Sequence, residues 1–217
     1  MNGLRPSSWG TAVLLLVLGC AQKGALAQDH HASAQERAAT LAPDEPQWRV
    51  PTLHAGGVVL GSRVALSVLW PEAFDPTAVT RNRRQFAQSW SSWPAWDQDA
   101  ALFEWDGDPW PINVIGHGLM GSEFYLRYRQ YGHSPGSALG MTVAWSTGWE
   151  YMVEGWHKQP SAIDLVWTPV AGLALGELRF WLYCSSQQIS SPRARLALAW
   201  VIDPFGQLER TLFALMY

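Results

Sequence analysis

Charge is what this chain has least of. Only 15% of its 217 residues are Asp, Glu, Lys or Arg, against about 25% in ordinary soluble domains. So sparse a supply excludes a surface built solely to face water. Net charge is −3, and the first 27 residues take away Arg5 and Lys23 without any acid, which leaves −5 on the remainder. There is no basic patch to draw in nucleic acid, and no nucleic-acid partner is expected. The one cationic cluster, Arg81, Arg83 and Arg84, reads as a solvated face on a polar connection. Cysteine is equally scarce, with Cys20 and Cys184 the two in the chain. Cys20 is expected to be either removed with an N-terminal export signal or lipidated, so no intramolecular disulfide is available. Cys184, inside LRFWLYCSS, reads as a small buried apolar residue rather than a nucleophile.

Familiar metal signatures are missing too. There is no H-E-x-x-H, and the paired Glu-x-x-His motifs of di-iron bundles are not present. Asp97, Asp99, Asp106 and Asp108 crowd one loop, but without the glycine and glutamate positions of a helix-loop-helix calcium site. They read as turn formers and helix caps. Internal repeats and hairpin signals are absent as well.

What the chain has in abundance is apolar and aromatic surface. Apolar residues make up 48%, and fourteen are tryptophan, a residue favoured where one edge is apolar and the other wet, as at membrane interfaces. A mean hydropathy of −0.06 argues against a chain made mostly of lipid-spanning helices. Contact with a membrane is the expectation, rather than wholesale embedding.

Residues 1 to 27 have the three parts of a secretory signal: Arg5, the apolar run Thr11 to Gly19, then small residues. Two processing sites compete. Ala25-Leu26-Ala27 suits an ordinary signal peptidase, whereas Val17-Leu18-Gly19-Cys20 resembles a lipobox that would make Cys20 a lipidated first residue and end the signal at residue 19. Residues 28 to 50 read as a flexible leader, with His30 and His31 a solvated pair. Residues 51 to 217 then form a single helical domain whose core motifs lie in 105 to 177.

Periodicity within that domain predicts a mainly α fold, a compact bundle of about five to six helices with Gly/Ala-rich packing faces. Leu53 to Trp70 reads as an apolar helix buried against the others, because Arg63 in lipid costs about 3 kcal/mol. A short polar helix around Arg81 to Trp90 follows, with Trp90, Trp93 and Trp96 covering the edge of the core. Three core helices come next: Ile112 to Tyr131, Gly136 to Trp156, and Pro160 to Tyr183. Pro169 should kink the third. Ser191-Pro192 starts another helix, and Asp203-Pro204 separates a last short one.

A polar set lies among these apolar helices: Asn113, His117, Glu150, Glu154, Asp164, Thr168 and Glu177. Asn113 and His117 are four apart, on one face, in line with Gly121. Glu150 and Glu154 share another face, where two carboxylates need solvent, a cation, an arginine or a shared proton between them. Ser161-x-x-Asp164 is a capping box with Asp for Glu. Thr168, Gly172 and Gly176 make a small-residue face, and Glu177 asks for Arg179 or Arg127 as partner. Glu123 and Arg127 read as a rim ion pair.

Asn113-x-x-x-His117-x-x-x-Gly121, Trp149-Glu150-Tyr151-x-x-Glu154 and Ser161-x-x-Asp164-Leu165-x-x-Thr168-Pro169-x-x-Gly172-x-x-x-Gly176-Glu177 together resemble the bacterial envelope proteins grouped as domain of unknown function 3943. A looser echo is DPFGQLER near the C-terminus, and one departure is Gly118, where the family usually has proline. The resemblance implies a helical fold and an envelope location, in the periplasm or at the outer membrane. It implies no reaction.

Three readings follow. In the first, the cluster is a structural network inside an exported, membrane-associated protein, and no cofactor is expected. In the second, His117, Glu150 and Glu154 are metal ligands or a general base and its partners in hydrolysis of an envelope lipid or glycan, with a divalent metal. In the third, the domain binds a lipid or an envelope partner.

Overall fold

A computed structural model describes residues 45–216 apart from 70, 72, 73, 76 and 102, with side chains as far as Leu212. The stretches expected to be an export signal and most of the expected leader, with Cys20, His30 and His31, lie outside the described residues. Those described form seven α-helices and no strand. They are α1 (Arg49–Leu69), α2 (Val79–Ser91), α3 (His117–Gln130), α4 (Pro135–Gly148), α5 (Ala162–Ser186), α6 (Pro192–Ile202) and α7 (Pro204–Met216). The mainly α expectation holds, with more helices than the five to six anticipated.

Two of the expected core helices are not regular. A π turn, Ile112–Gly116, precedes α3, and α4 runs into a second π turn, Trp149–Val153, followed by a 3₁₀ turn, Glu154–Trp156. The His117 N–H bonds to the Ile112 carbonyl and the Glu154 N–H to the Trp149 carbonyl. Each such insertion re-aims the side chains around it. Both sit where the polar set is assembled.

Glycine spacing explains the centre of the bundle. On α3 the residues His117, Gly121, Tyr125 and Arg129 advance in steps of four; on α5 so do Thr168, Gly172, Gly176 and Phe180. Each member of the first row meets its counterpart in the second: His117 hydrogen-bonds Thr168, Gly121 and Gly172 approach backbone to backbone, Gly176 lies against the Tyr125 ring, and the Arg129 guanidinium sits over Phe180. The two helices therefore run parallel, ridge in groove. α4 packs on both, and its start is fixed by the Ser134 hydroxyl, which accepts the Ser137 N–H. Ser161 caps α5 in the same way through the Asp164 N–H. Gly132 closes α3 with φ +87°, a conformation that favours glycine.

Beside a small apolar core around Phe124, Tyr125, Leu126 and Tyr128, much of the interior is polar and much of the exterior apolar. Buried residues include Asn113, His117, Ser122, Glu123, Arg127, Glu150, Glu154, Asp164 and Asp203, while Leu53, Leu60, Val68, Val166, Leu178, Trp181, Val201 and Phe205 are exposed. This inverts the usual arrangement. It also overturns the expected burial of α1: the helix is mostly exposed, with Pro51 and Ala55 its buried residues. The cause is that its apolar residues go round the whole circumference, so only one strip can pack. Among the described residues α1 is the one helix long and apolar enough to cross a bilayer, by length and composition alone. Arg63 finds partners in Ser67, the Phe74 carbonyl and His157 instead of the core. The tryptophans 90, 93 and 96 are likewise exposed, Trp93 at 89%. Trp90 pairs with Tyr151 and Trp96 with Trp105, and the three do not seal the core.

The Glu123–Arg127 pair is not at the rim. Both side chains are buried, with Arg127 3.1 Å from Glu123 and 2.9 Å from Asp203. Arg179 reaches the other Glu123 oxygen at 2.7 Å, and His54 of α1 bridges Glu123 and Glu209. This network ties α1, α3, α5 and α7 together. Asp203, at the α6–α7 break, also accepts the Gly206 N–H, which accounts for the start of the DPFGQLER segment.

Candidate functional site

Three segments bring one ligand atom each to the polar end of the α3–α5 pair. His117 leaves the first π turn, Glu150 lies in the second, and Asp164 is in the first turn of α5. Their nearest N and O atoms all lie within 4.8 Å of one another, and all three residues are buried. His117 Nδ1 is 3.0 Å from the Thr168 hydroxyl and 3.9 Å from Glu150 Oε1, while Nε2 is 3.9 Å from Asp164 Oδ2. Glu150 Oε2 accepts the Ser161 N–H at 2.7 Å. Its other oxygen, and both oxygens of Asp164, have no hydrogen-bond partner in the chain.

Burial sets the charge state. It lowers the pKa of His117, so the ring stays neutral and able to act as a ligand. It raises Asp164 to about 8 and lifts Glu150 well above the usual carboxylate range, with Glu154 adding repulsion. Burial of this kind favours the protonated acids, and a cation would displace their protons. This buried His/Glu/Asp group could hold a metal ion.

An outer layer is already paired. Lys158 Nζ lies 2.6 Å from Asp108, 2.8 Å from Asp106 and 3.1 Å from Glu154. Burial would lower the Lys158 pKa, but these carboxylates raise it well above normal. The Asp106 side chain is enclosed, which opposes its ionisation, yet Lys158 and Asn113 hold its pKa below the ordinary range. Asn113 donates to Asp106 at 2.7 Å and to the carbonyl of Phe103 at 2.8 Å. Phe103 has φ +67°, a strained backbone for a residue with a side chain. Asn113 holds it there.

Of the residues singled out from sequence, Asn113, His117, Glu150, Glu154, Asp164 and Thr168 come together. Glu177 does not: thirteen residues beyond Asp164 on α5, it lies about 20 Å along the helix. Its carboxylate pairs with Arg129 at 3.0 Å and accepts from Tyr125, rather than engaging Arg179 or Arg127. Asp164 both donates its N–H to the Ser161 cap three residues before it and is one of the three converging side chains, while Glu154 turns to Lys158. Lys158 was missed, though its spacing of four from Glu154 signals the pair. The chain's one Glu-x-x-His spacing, Glu154 to His157, does not converge, because His157 turns to Arg63.

Residues 102–205 match the family model of the domain of unknown function DUF3943. All of the inner and outer layer lies inside that DUF3943 stretch; α1 and α2 precede it. No curated protein and no solved structure matches the chain.

Proposed function

We propose that the DUF3943 segment of this chain is a divalent-cation site of the hydrolytic type, carried by an exported, membrane-associated envelope protein. One observation carries the reading. A purely structural network must satisfy its own members, yet Glu150 Oε1 and both Asp164 oxygens are buried beside a neutral imidazole with no partner in the chain. Two carboxylates and an imidazole suit Zn, Mn or Fe. Three protein ligands leave a coordination position for a water, which the ion would acidify toward a nucleophile. Two π turns at the ligand-bearing segments add support, since such turns recur at functional sites. The apolar exterior favours a membrane-associated setting, because contiguous apolar surface of this kind is costly in water.

Metal content of the purified full chain tests the reading. After incubation with zinc, manganese or ferrous ion and removal of excess, about one equivalent should remain with one of them. Glu150→Gln/Asp164→Asn should lose it, while Glu177→Gln should not. A folded wild-type chain that retains none of the three ions overturns the proposal.

A further inference from the structure

A cavity of about 230 Å³ on the α1 side reaches the site at one of its three converging residues, His117, with Glu154 beside it in the lining. The rest of its wall is mainly apolar: Ala65 and Leu66 of α1, Ile112 of the first π turn, Met120 of α3, and Trp149. Ser62 is the one further polar side chain there. A glycan or a peptide would bring hydroxyls or amides against this wall with almost nothing to bond them, which is unfavourable. An alkyl chain asks for no partner and gains roughly a factor of four in affinity for each methylene removed from water. α1, which forms one wall, also exposes Leu60, Val64, Val68 and Leu69.

We infer that this cleft takes the acyl chain of a lipid, so that the substrate of the site is an acyl ester or amide with its carbonyl at the His117 end. The inference rests on the cation reading above. In the reaction, water adds to the acyl carbonyl carbon, the bond from that carbon to the head-group oxygen or nitrogen breaks, and the departing atom takes a proton from the attacking water. The products are a fatty acid and a head-group alcohol or amine. The apolar wall chooses the acyl side of the bond, and the buried His117, Glu150 and Asp164 mark where it is cut.

Two measurements on the full chain separate this inference from the reading beneath it. With the zinc-loaded protein, octanohydroxamate should bind about a hundredfold more tightly than acetohydroxamate, the gain from removing roughly three to four of its six additional methylenes from water. Ala65→Trp, at an exposed position of α1, should shrink that ratio below tenfold and leave zinc content and acetohydroxamate affinity as they were. Equal affinity for the two hydroxamates, or a ratio untouched by Ala65→Trp, overturns the acyl assignment while the cation site stands. The second measurement needs no metal: a diazirine-tagged octanamide should cross-link to Leu66, Met120 or Trp149 in metal-free protein. If no zinc is retained but these residues are labelled, the cation reading fails and the acyl cleft survives; labelling only elsewhere overturns the cleft.

Discussion

Gly121 and Thr168 meet backbone to backbone, and a Cβ on Gly121 would run into the Thr168 carbonyl. The same contact holds the Thr168 hydroxyl 3.0 Å from His117, one turn before Gly121. Packing of α3 on α5 and placement of the imidazole are therefore one event.

Gly121→Ala should lower stability by about 1–3 kcal/mol, the usual cost of overfilling a packed contact. Gly140→Ala faces open space on α4 and should stabilise by up to about 1 kcal/mol, as alanine does in helices. Urea unfolding of the two variants should move in opposite directions.

Arg127 answers Glu123 and Asp203 inside the bundle. Arg127→Leu leaves both carboxylates without that guanidinium and should cost about 3–5 kcal/mol. Arg193→Leu, on the exposed start of α6, should change stability by less than about 0.5 kcal/mol. Chemical denaturation at neutral pH distinguishes them.

Stability should fall on both sides of neutrality through one contact. Burial opposes ionisation of Glu123, but His54, Arg179 and Arg127 outweigh it and hold the carboxyl at about 2 against an ordinary 4.5. Its contribution is present above pH 4.5 and is lost as pH falls toward 2. Burial also opposes protonation of His54, yet Glu123 and Glu209 raise its pKa above 6.5. That contribution is complete below pH 6.5 and disappears as pH rises through the folded value. His54→Gln should flatten the loss on the alkaline side in thermal melts at a series of pH values, while the acid limb persists.

Cys184 is buried and free, and burial pushes its thiol up to about 11. Thiol reagents such as dithiobis-nitrobenzoate should leave the native domain unmodified at pH 8 and titrate this thiol only after denaturation. Modification of Cys184 within minutes under native conditions would contradict its placement.

Much of the helical frame was legible because capping and spacing are local. Ser161 and Ser191 each sit before their helices, and Gly132 and Pro204 mark breaks. The steps of four on α3 and α5 announced the glycine contact. Burial was less legible, since periodicity shows that a stripe exists without showing which way it faces. Glu123 and Arg127 look like a surface pair by spacing, and only Asp203, seventy-six residues on, makes them interior. Likewise α1 looks like a core helix by composition, yet too little of its circumference finds a partner. The convergence of Asp164 on His117 was hidden for another reason: its capping-box position already explained it locally.

Each of the two π turns makes its helix one residue too long for even winding. Removing one residue from 112–116 or from 149–153 would restore the regular hydrogen-bond ladder and rotate the flanking residues by about 100° relative to one another. Such a shortened chain would have a tidier backbone and a scattered triad. Segment length is therefore a marker that can be read without any structure: a related sequence that preserves both extra residues keeps the geometry that gathers His117, Glu150 and Asp164, and one that has lost either keeps only the bundle.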